Sequence, residues 1–78
     1  MLVSLDKIVG DNIRGYRKKR NLTQEALAGR SLLSSNFVAC LERAEDTISI
    51  RRLEKIAKAL KIAPHQLLIP ESYKSEDF

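Results

Sequence analysis

Apolar residues recur along the N-terminal part of the chain at intervals of three and four, the spacing that places them on one face of an α-helix. The pattern predicts a first helix, with Ser4 as its N-cap and the basic stretch "RKKRN" at its end, where cations suit a helix C-terminus. Its apolar face contains Leu5, Ile8, Val9, Ile13 and Tyr16.

Three further segments each begin with a hydroxyl residue that can act as an N-cap. Thr23 precedes "QEALAGR" in a short second helix, and Ser34 precedes a third helix that we expect from about Ser35 to Glu42. Ser49 precedes the fourth helix, whose apolar stripe lies opposite a charged face and consists of Ile50, Leu53, Ile56, Ala57 and Leu60.

The last predicted helix is "PHQLLI", since Pro64 suits a first helical position and Pro70 ends the segment. Residues 70–78 have little apolar surface to bury, so we expect this C-terminal tail to fray. No segment has the pattern of a strand. The sequence therefore predicts a single all-α domain over residues 1–78, a compact five-helix fold with a core spanning residues 5–69.

Composition limits the chemistry that the chain can support. With 78 residues, a single cysteine and one histidine, it can form neither an internal disulfide nor a metal site at standard ligand spacing. A chain of this size buries a limited core and is often steadied by a partner subunit. We therefore expect no metal and no cofactor, a reducing cytoplasmic location, and association with a second subunit.

The charge distribution indicates the kind of partner. No apolar run approaches the roughly 20 residues of a membrane span, and "MLVSLDKIVG" lacks the basic start and cleavage site of a signal peptide, so no membrane contact is expected. The formal net charge is +4, and the cations are concentrated in "RGYRKKR" and "IRRLEKIAKALK". A basic surface favours a polyanionic partner.

Two short capped helices joined by a tight link form a helix-turn-helix when the second packs across the first. Ala28 has a small side chain that lets the second and third helices approach closely, while Val38 and Leu41 fill the space behind the third. Here the sequence resembles the helix-turn-helix DNA-binding domains of the Cro/CI type, the lambda-repressor-like (XRE) family of small phage repressors and restriction-modification controller proteins. The resemblance covers residues 9–69 and rests on "VGDNIRGYRKKRNLTQEALA", "LLSSNFVACLER" and "SIRRLEKIAKALKIAPHQLL".

The resemblance implies that the third helix enters the major groove of DNA. Its exposed face would then place Ser35, Asn36, Ala39 and Cys40 against base edges. Asn36 is the main candidate, because a carboxamide can bond adenine N6 and N7 together. Cys40 is interpreted either as a small filler or as a redox-sensitive switch.

The resemblance also implies roles outside the third helix. Contacts to DNA phosphates would come from Gln24, Arg43, Thr47 and Arg51. An ion pair between Arg17 and Glu42 would join the first helix to the third.

The sequence departs from the family pattern at the turns. Two positions that the family usually fills with glycine at positive φ are Leu32 and Ala44 here, and each costs about 1 kcal/mol if that geometry is kept. Glu45 and Asp46 replace common basic residues, so we expect weaker non-specific binding to DNA.

The C-terminal part of the domain is the predicted dimer interface, since the second and third helices must stay free for DNA. By the spacing of the family's "LL" pair, Leu67 faces the core and leaves Leu68 and Ile69 for the partner subunit. The alternative is that both residues merely cover the end of the fourth helix.

Two functions follow from these residues. The first is a sequence-specific transcription regulator that binds a two-fold-related double-stranded DNA operator as a homodimer, either a restriction-modification controller or a phage-type repressor. The second is an interaction protein, either an antitoxin that also docks a toxin or an adaptor that has lost DNA reading. Glu45, Asp46 and the short side chains of the third helix favour the second hypothesis. An enzyme is not expected, since no base accompanies Ser34 or Ser35.

Overall fold

The computed structural model describes residues 4–76 as a helical domain. Four α-helices are followed by two 3₁₀-helices, and they span α1 Leu5–Lys19, α2 Gln24–Ser31, α3 Ser35–Glu42, α4 Ile50–Leu60, the first 3₁₀-helix Pro64–Leu68 and the second 3₁₀-helix Ser72–Ser75. Met1–Val3 and the last two residues of the tail, Asp77 and Phe78, lie outside the described residues.

Each α-helix begins where its capping residue was predicted. The hydroxyl oxygens of the four caps accept hydrogen bonds from backbone N–H groups three residues later, which satisfies donors that have no partner inside the helix; the caps are Ser4, Thr23, Ser34 and Ser49. The predicted N-caps are therefore confirmed.

The all-helical class is confirmed, but over residues 4–76 the expected five helices are four α-helices and two 3₁₀-helices, of which the first replaces the fifth predicted helix. Pro70 disfavours the α conformation for the residue before it, and Ile69 is extended at φ −95° and ψ 121°. The helix thus stops before it completes a second turn. Its carbonyl groups are satisfied by α1, since Asn12 Nδ2 donates to the oxygens of Leu67 at 2.9 Å and Ile69 at 2.8 Å.

The core is built around α1, which packs against α3, α4 and both 3₁₀-helices. Ile13, Tyr16 and Leu67 are fully buried, as the sequence predicts for Leu67. Gly10 sets the distance between α1 and α3, because a Cβ atom there would collide with the carbonyl oxygen of Leu41. The two helix backbones therefore approach more closely than any larger residue at this position would allow.

The C-terminal tail packs against α1 between residues 70 and 76, although the sequence predicts little apolar surface to bury there. The ring of Tyr73 lies over Gly15, where a Cβ atom would occupy its place, and meets Tyr16 edge to face with 6.3 Å between ring centroids. Tyr16 Oη donates to Ser72 Oγ at 2.9 Å. The prediction counted the apolar residues of the tail and missed the slot that Gly15 leaves on α1.

An ion pair between Arg20 and Glu76 joins the tail to the C-terminal end of α1. Arg20 Nη2 donates to Glu76 Oε2 at 2.7 Å, and these hydrogen bonds hold the pKa of the Glu76 carboxyl below its ordinary value. A carboxyl with a lowered pKa in the folded state stabilises the fold above its unfolded pKa. This contribution is present at neutral pH and is lost as the pH falls through the lowered pKa.

The two turn positions that the family usually fills with glycine keep the left-handed geometry. Leu32 has a φ of 57° and Ala44 a φ of 58°, both in the left-handed region. Leu32 is also 81% exposed, so its side chain adds little packing to offset this backbone cost.

We expect Leu32→Gly and Ala44→Gly each to raise the free energy of unfolding by up to about 1 kcal/mol, because glycine adopts positive φ without steric cost. Urea denaturation followed by circular dichroism measures the change. Glu54→Gly, at an exposed position inside α4, is the matched control and should lower stability by about 0.5 to 1 kcal/mol. A loss of stability in both turn variants would contradict the expectation.

Candidate nucleic-acid interface

Helix α3 presents one face to the core and the opposite face outward. Val38 and Leu41 are buried beneath it. The four residues predicted to contact bases lie on the outward side, with Ser35 and Asn36 exposed and Ala39 and Cys40 half-buried. Their spacing of one, four and five residues places them on a single helical face. The structure thus brings all four together on a shallow surface of short side chains.

The turn before α3 fixes how this face is presented. Leu33 N donates to the carbonyl oxygen of Ala28 at 2.9 Å, and Leu32 reverses the chain in its left-handed conformation. Ala28 is buried between α2 and its neighbours. The small side chain and the tight turn together let α3 cross close to α2, which gives the geometry of a helix-turn-helix.

Glu42, the last residue of α3, is the junction of three helices. Arg17 of α1 donates from Nε to Glu42 Oε2 at 2.7 Å and from Nη2 to Oε1 at 3.1 Å. Gln24 Nε2, at the start of α2, donates to the same Oε1 at 3.1 Å. The side chain of Glu42 is only 4% exposed and that of Arg17 12%, so the charges are largely shielded from water.

Gln24, predicted to contact phosphate, therefore has a carboxamide fixed by Glu42. The bond uses one of the two hydrogens on Nε2. The side chain lies at the N-terminal end of α2, where backbone N–H groups and the helix dipole favour an anion. The structure therefore places the carboxamide of Gln24 close to the end of α3, and the bond to Glu42 sets its orientation.

The other predicted phosphate contacts lie in or beside the segment between α3 and α4. Arg43 Nε is 3.0 Å from Glu45 Oε1, and its Nη2 donates to Cys40 Sγ at 3.7 Å. Thr47 Oγ1 donates to Asp6 Oδ2 at 3.0 Å, which ties this segment to the start of α1. Arg51 is exposed in the first turn of α4. A phosphate bound here would compete with carboxylates for Arg43 and Thr47.

Sequence reasoning missed two contributors to this surface. Asp6 holds Thr47 across 41 positions of sequence, and no local pattern signals such a contact. Arg52 lies over the ring of Phe37 at 5.1 Å on the flank of α3. The ring of Phe37 is half-buried, and the sequence pattern gave no signal of the guanidinium that covers it.

The two residues predicted for a dimer interface lie on another part of the molecule. Leu68 is 40% exposed and Ile69 48%. A shallow cavity of about 250 Å³ lies beside the next residues of the chain, and its lining is mixed: Ile8 and Pro70 are apolar, whereas Lys7, Asp11 and Glu71 are charged. We call the exposed run Leu68, Ile69 and Pro70 the C-terminal apolar surface; it is separate in sequence from α2 and α3.

No helix within residues 4–76 is both long and apolar enough to cross a membrane. Over the same residues, no group of three or more histidine, cysteine, aspartate and glutamate side chains could hold a metal ion.

Comparisons with known proteins agree with this geometry, which defines a helix-turn-helix DNA-binding domain. A helix-turn-helix family model, HTH_3, matches residues 13–67. Control protein C.SmaI from Serratia marcescens is 34% identical over 74 residues, which cover 95% of this chain and 88% of that protein. The restriction-modification controller protein C.AhdI from Aeromonas hydrophila has a similar structure, with a TM-score of 0.77 and 34% identity over 80% of this chain and 94% of that chain.

A further neighbour has been solved on DNA. The P22 c2 repressor, in complex with a synthetic operator, has a TM-score of 0.73 and 33% identity over 77% of this chain and 91% of that chain. The chain belongs to the helix-turn-helix family HTH_3, of DNA-binding transcriptional regulators rather than enzymes. The lambda-repressor-like assignment made from the sequence is confirmed.

The junction at Glu42 gives a stability prediction. We expect Glu42→Ala to lower the free energy of unfolding by about 3 kcal/mol, because it leaves the Arg17 guanidinium shielded from water without its partner. Urea denaturation measures the loss. Glu45→Ala removes an exposed carboxylate three residues away and should change stability by less than about 0.5 kcal/mol. Equal, small effects in both variants would contradict a structural role for the junction.

Proposed function

We propose that this protein is a sequence-specific transcription regulator that acts in the cytoplasm as a homodimer on a two-fold-related DNA operator, as restriction-modification controllers and phage-type repressors do. The observation that carries the proposal is the outward face of α3, which is held by Val38 and Leu41 and displays four residues to the outside. The match to controller proteins and to a repressor solved with an operator supports it.

Base recognition would rest mainly on Asn36. In the major groove its carboxamide would donate to adenine N7 and accept from N6, a bidentate contact that distinguishes adenine from the other bases. The Ser35 hydroxyl can donate or accept, and the Ala39 methyl group can pack on a thymine methyl. Cys40 is half-buried and adds a small contact at the end of this face.

Phosphate contacts would position α3 in the groove. Gln24 is oriented by Glu42, and Arg51 is exposed at the start of α4. Arg43 would leave Glu45 to bind a phosphate, which lowers affinity for all DNA equally. If the protein is a regulator, this competition makes its DNA binding depend on base contacts more than on charge.

Two copies would supply the specificity that one short helix lacks. One copy of α3 reads only a few base pairs, so two copies must lie about 34 Å apart, one turn of DNA. The domain measures 34 × 30 × 19 Å, which suits two copies side by side at this spacing. The C-terminal apolar surface would form the contact between them, with Leu68 and Ile69 at its centre.

A second function is favoured by the pairing of Arg43 with Glu45, which keeps a predicted phosphate ligand occupied in the free protein. In this alternative the same fold serves as an antitoxin that docks a toxin or as an adaptor. Its affinity for DNA would be weak and nearly independent of sequence.

Binding to DNA separates the two functions. Sequences selected from a random library by the wild-type protein provide the operator, and titrations with that operator and a scrambled duplex give the affinities. We expect Asn36→Ala to weaken operator binding by about 5-fold to 100-fold and to leave scrambled DNA unchanged. Arg51→Ala should weaken both and reduce the slope of log affinity against log salt by about 1.

Two results of the DNA-binding experiment would favour the second function. If the selection enriches no sequence, or if the affinity is flat with salt concentration, the regulator proposal is wrong. Equal losses on both duplexes for Asn36→Ala would remove that residue from base recognition.

The dimer interface has its own test. We expect Leu68→Glu to give a folded monomer in analytical ultracentrifugation, because a carboxylate in an apolar interface loses hydration without gaining a partner. Operator binding should weaken with it. Ile50→Glu, at an exposed apolar residue in the first turn of α4, is the matched control and should remain dimeric. A folded Leu68→Glu variant that stays dimeric would place the interface elsewhere.

A further inference from the structure

A second charged surface lies at the C-terminal ends of α2 and α4. An open groove of about 520 Å³ separates the two ends. Its cations come from both helices, and Leu32 and Ala59 supply apolar surface; the four cations are Arg30, Lys55, Lys58 and Lys61. Among the described residues, none that lines this cationic groove carries a carboxylate.

The cations are not explained by ion pairs within the domain. None of the four forms a salt bridge with a carboxylate of residues 4–76. Arg30 and Lys58 lie in the last turns of their helices, where cations interact favourably with the helix dipole. Lys55 lies in the middle of α4, so the dipole does not account for it. The groove thus concentrates positive potential that an acidic ligand would relieve.

Leu32 combines a strained backbone conformation with an exposed apolar side chain. Its backbone is in the left-handed conformation, and its side chain is 81% exposed. Glycine at this position would be more stable. A leucine that the domain does not bury is suited to contact an apolar group of another molecule.

The cationic groove lies away from the predicted phosphate contacts along both helices. Arg30 follows Gln24 by six residues in α2, which is about 9 Å along the helix axis. Lys58 follows Arg51 by seven residues in α4, about 10 Å along its axis. The ends that carry Gln24 and Arg51 would face DNA, so the last turn of α4, with Lys58, would lie away from it. Leu32 is nearer to the DNA-contact face, because it precedes Ser35 by three residues.

We propose that the cationic groove docks an acidic segment of a partner protein, with one apolar side chain of that segment packed on Leu32 and Ala59. Carboxylates on either side would pair with Lys55, Lys58 and Arg30. A phosphate backbone fits the groove less well, because it offers no apolar group to bury the exposed leucine. The inference goes beyond operator binding and gives the regulator a surface for a protein contact on DNA.

Two synthetic peptides of equal charge test the proposal by fluorescence anisotropy and amide chemical shifts at about 0.15 M salt, where the Debye length is about 8 Å. One peptide alternates glutamate and leucine, and the other has serine in place of leucine. We expect the wild-type protein to bind the leucine peptide at least 5-fold more tightly, with shifts at residues 30–32 and 55–61. Leu32→Gly, which should stabilise the fold, should abolish this difference.

Charge variants complete the test. The double variant Lys55→Gln, Lys58→Gln should weaken both peptides at least 5-fold and change operator affinity less than 3-fold. Lys18→Gln, an exposed cation on α1, is the control and should bind both peptides as the wild type does. Because operator affinity is measured separately, failure of this proposal is distinguishable from failure of the DNA-binding function.

Three results would overturn the proposal. Equal affinity for the two peptides would show attraction by charge alone. Retention of the leucine preference in Leu32→Gly would show that the apolar contact lies elsewhere. Loss of operator affinity in the double variant with unchanged peptide binding would make the groove a contact for the DNA backbone.

Discussion

The arrangement of α1, α2 and α3 depends on one carboxylate that is nearly removed from water. Glu42 accepts hydrogen bonds from Arg17 and Gln24, so the three helices are joined at the end of α3. Arg17 also donates from Nη1 to the carbonyl oxygen of Leu22, which holds the link that leads into α2. A shielded charge is costly unless its partners are in place, and this makes the arrangement of the three helices nearly all-or-none. Hydrophobic packing brings the helices together, and the ion pair fixes their register.

Predictions from local chemistry agreed with the structure. Hydroxyl residues placed before apolar runs gave all four α-helix starts, since an N-cap acts within three residues. The left-handed turns at Leu32 and Ala44 followed from the family spacing. The outward face of α3 followed from the burial of Val38 and Leu41. For all of these features, the residues responsible are close together in sequence.

The features that sequence reasoning missed join distant residues. The tail packs on α1 because Gly15 leaves space for Tyr73, and no property of the tail alone reveals that space. Asp6 and Thr47 meet only after α3 has been placed. The cationic groove likewise arises from ends of two helices that the fold brings side by side. Charge density along the sequence indicated an anionic partner. It could not show which cations lie near the predicted DNA contacts and which lie in the cationic groove.

The packing of the tail also constrains how the chain folds as it is made. Helix α1 is synthesised early, yet its inner face is completed by residues more than fifty positions later, through the pairs Asn12–Leu67, Tyr16–Ser72 and Arg20–Glu76. On the ribosome, Tyr16 and the carboxamide of Asn12 therefore lack their hydrogen-bond partners until nearly the whole domain has been translated. Proteases and chaperones can recognise a nascent chain during this interval, because apolar surface is exposed. The packing of α1 is therefore completed only after residues 67–76 have been translated.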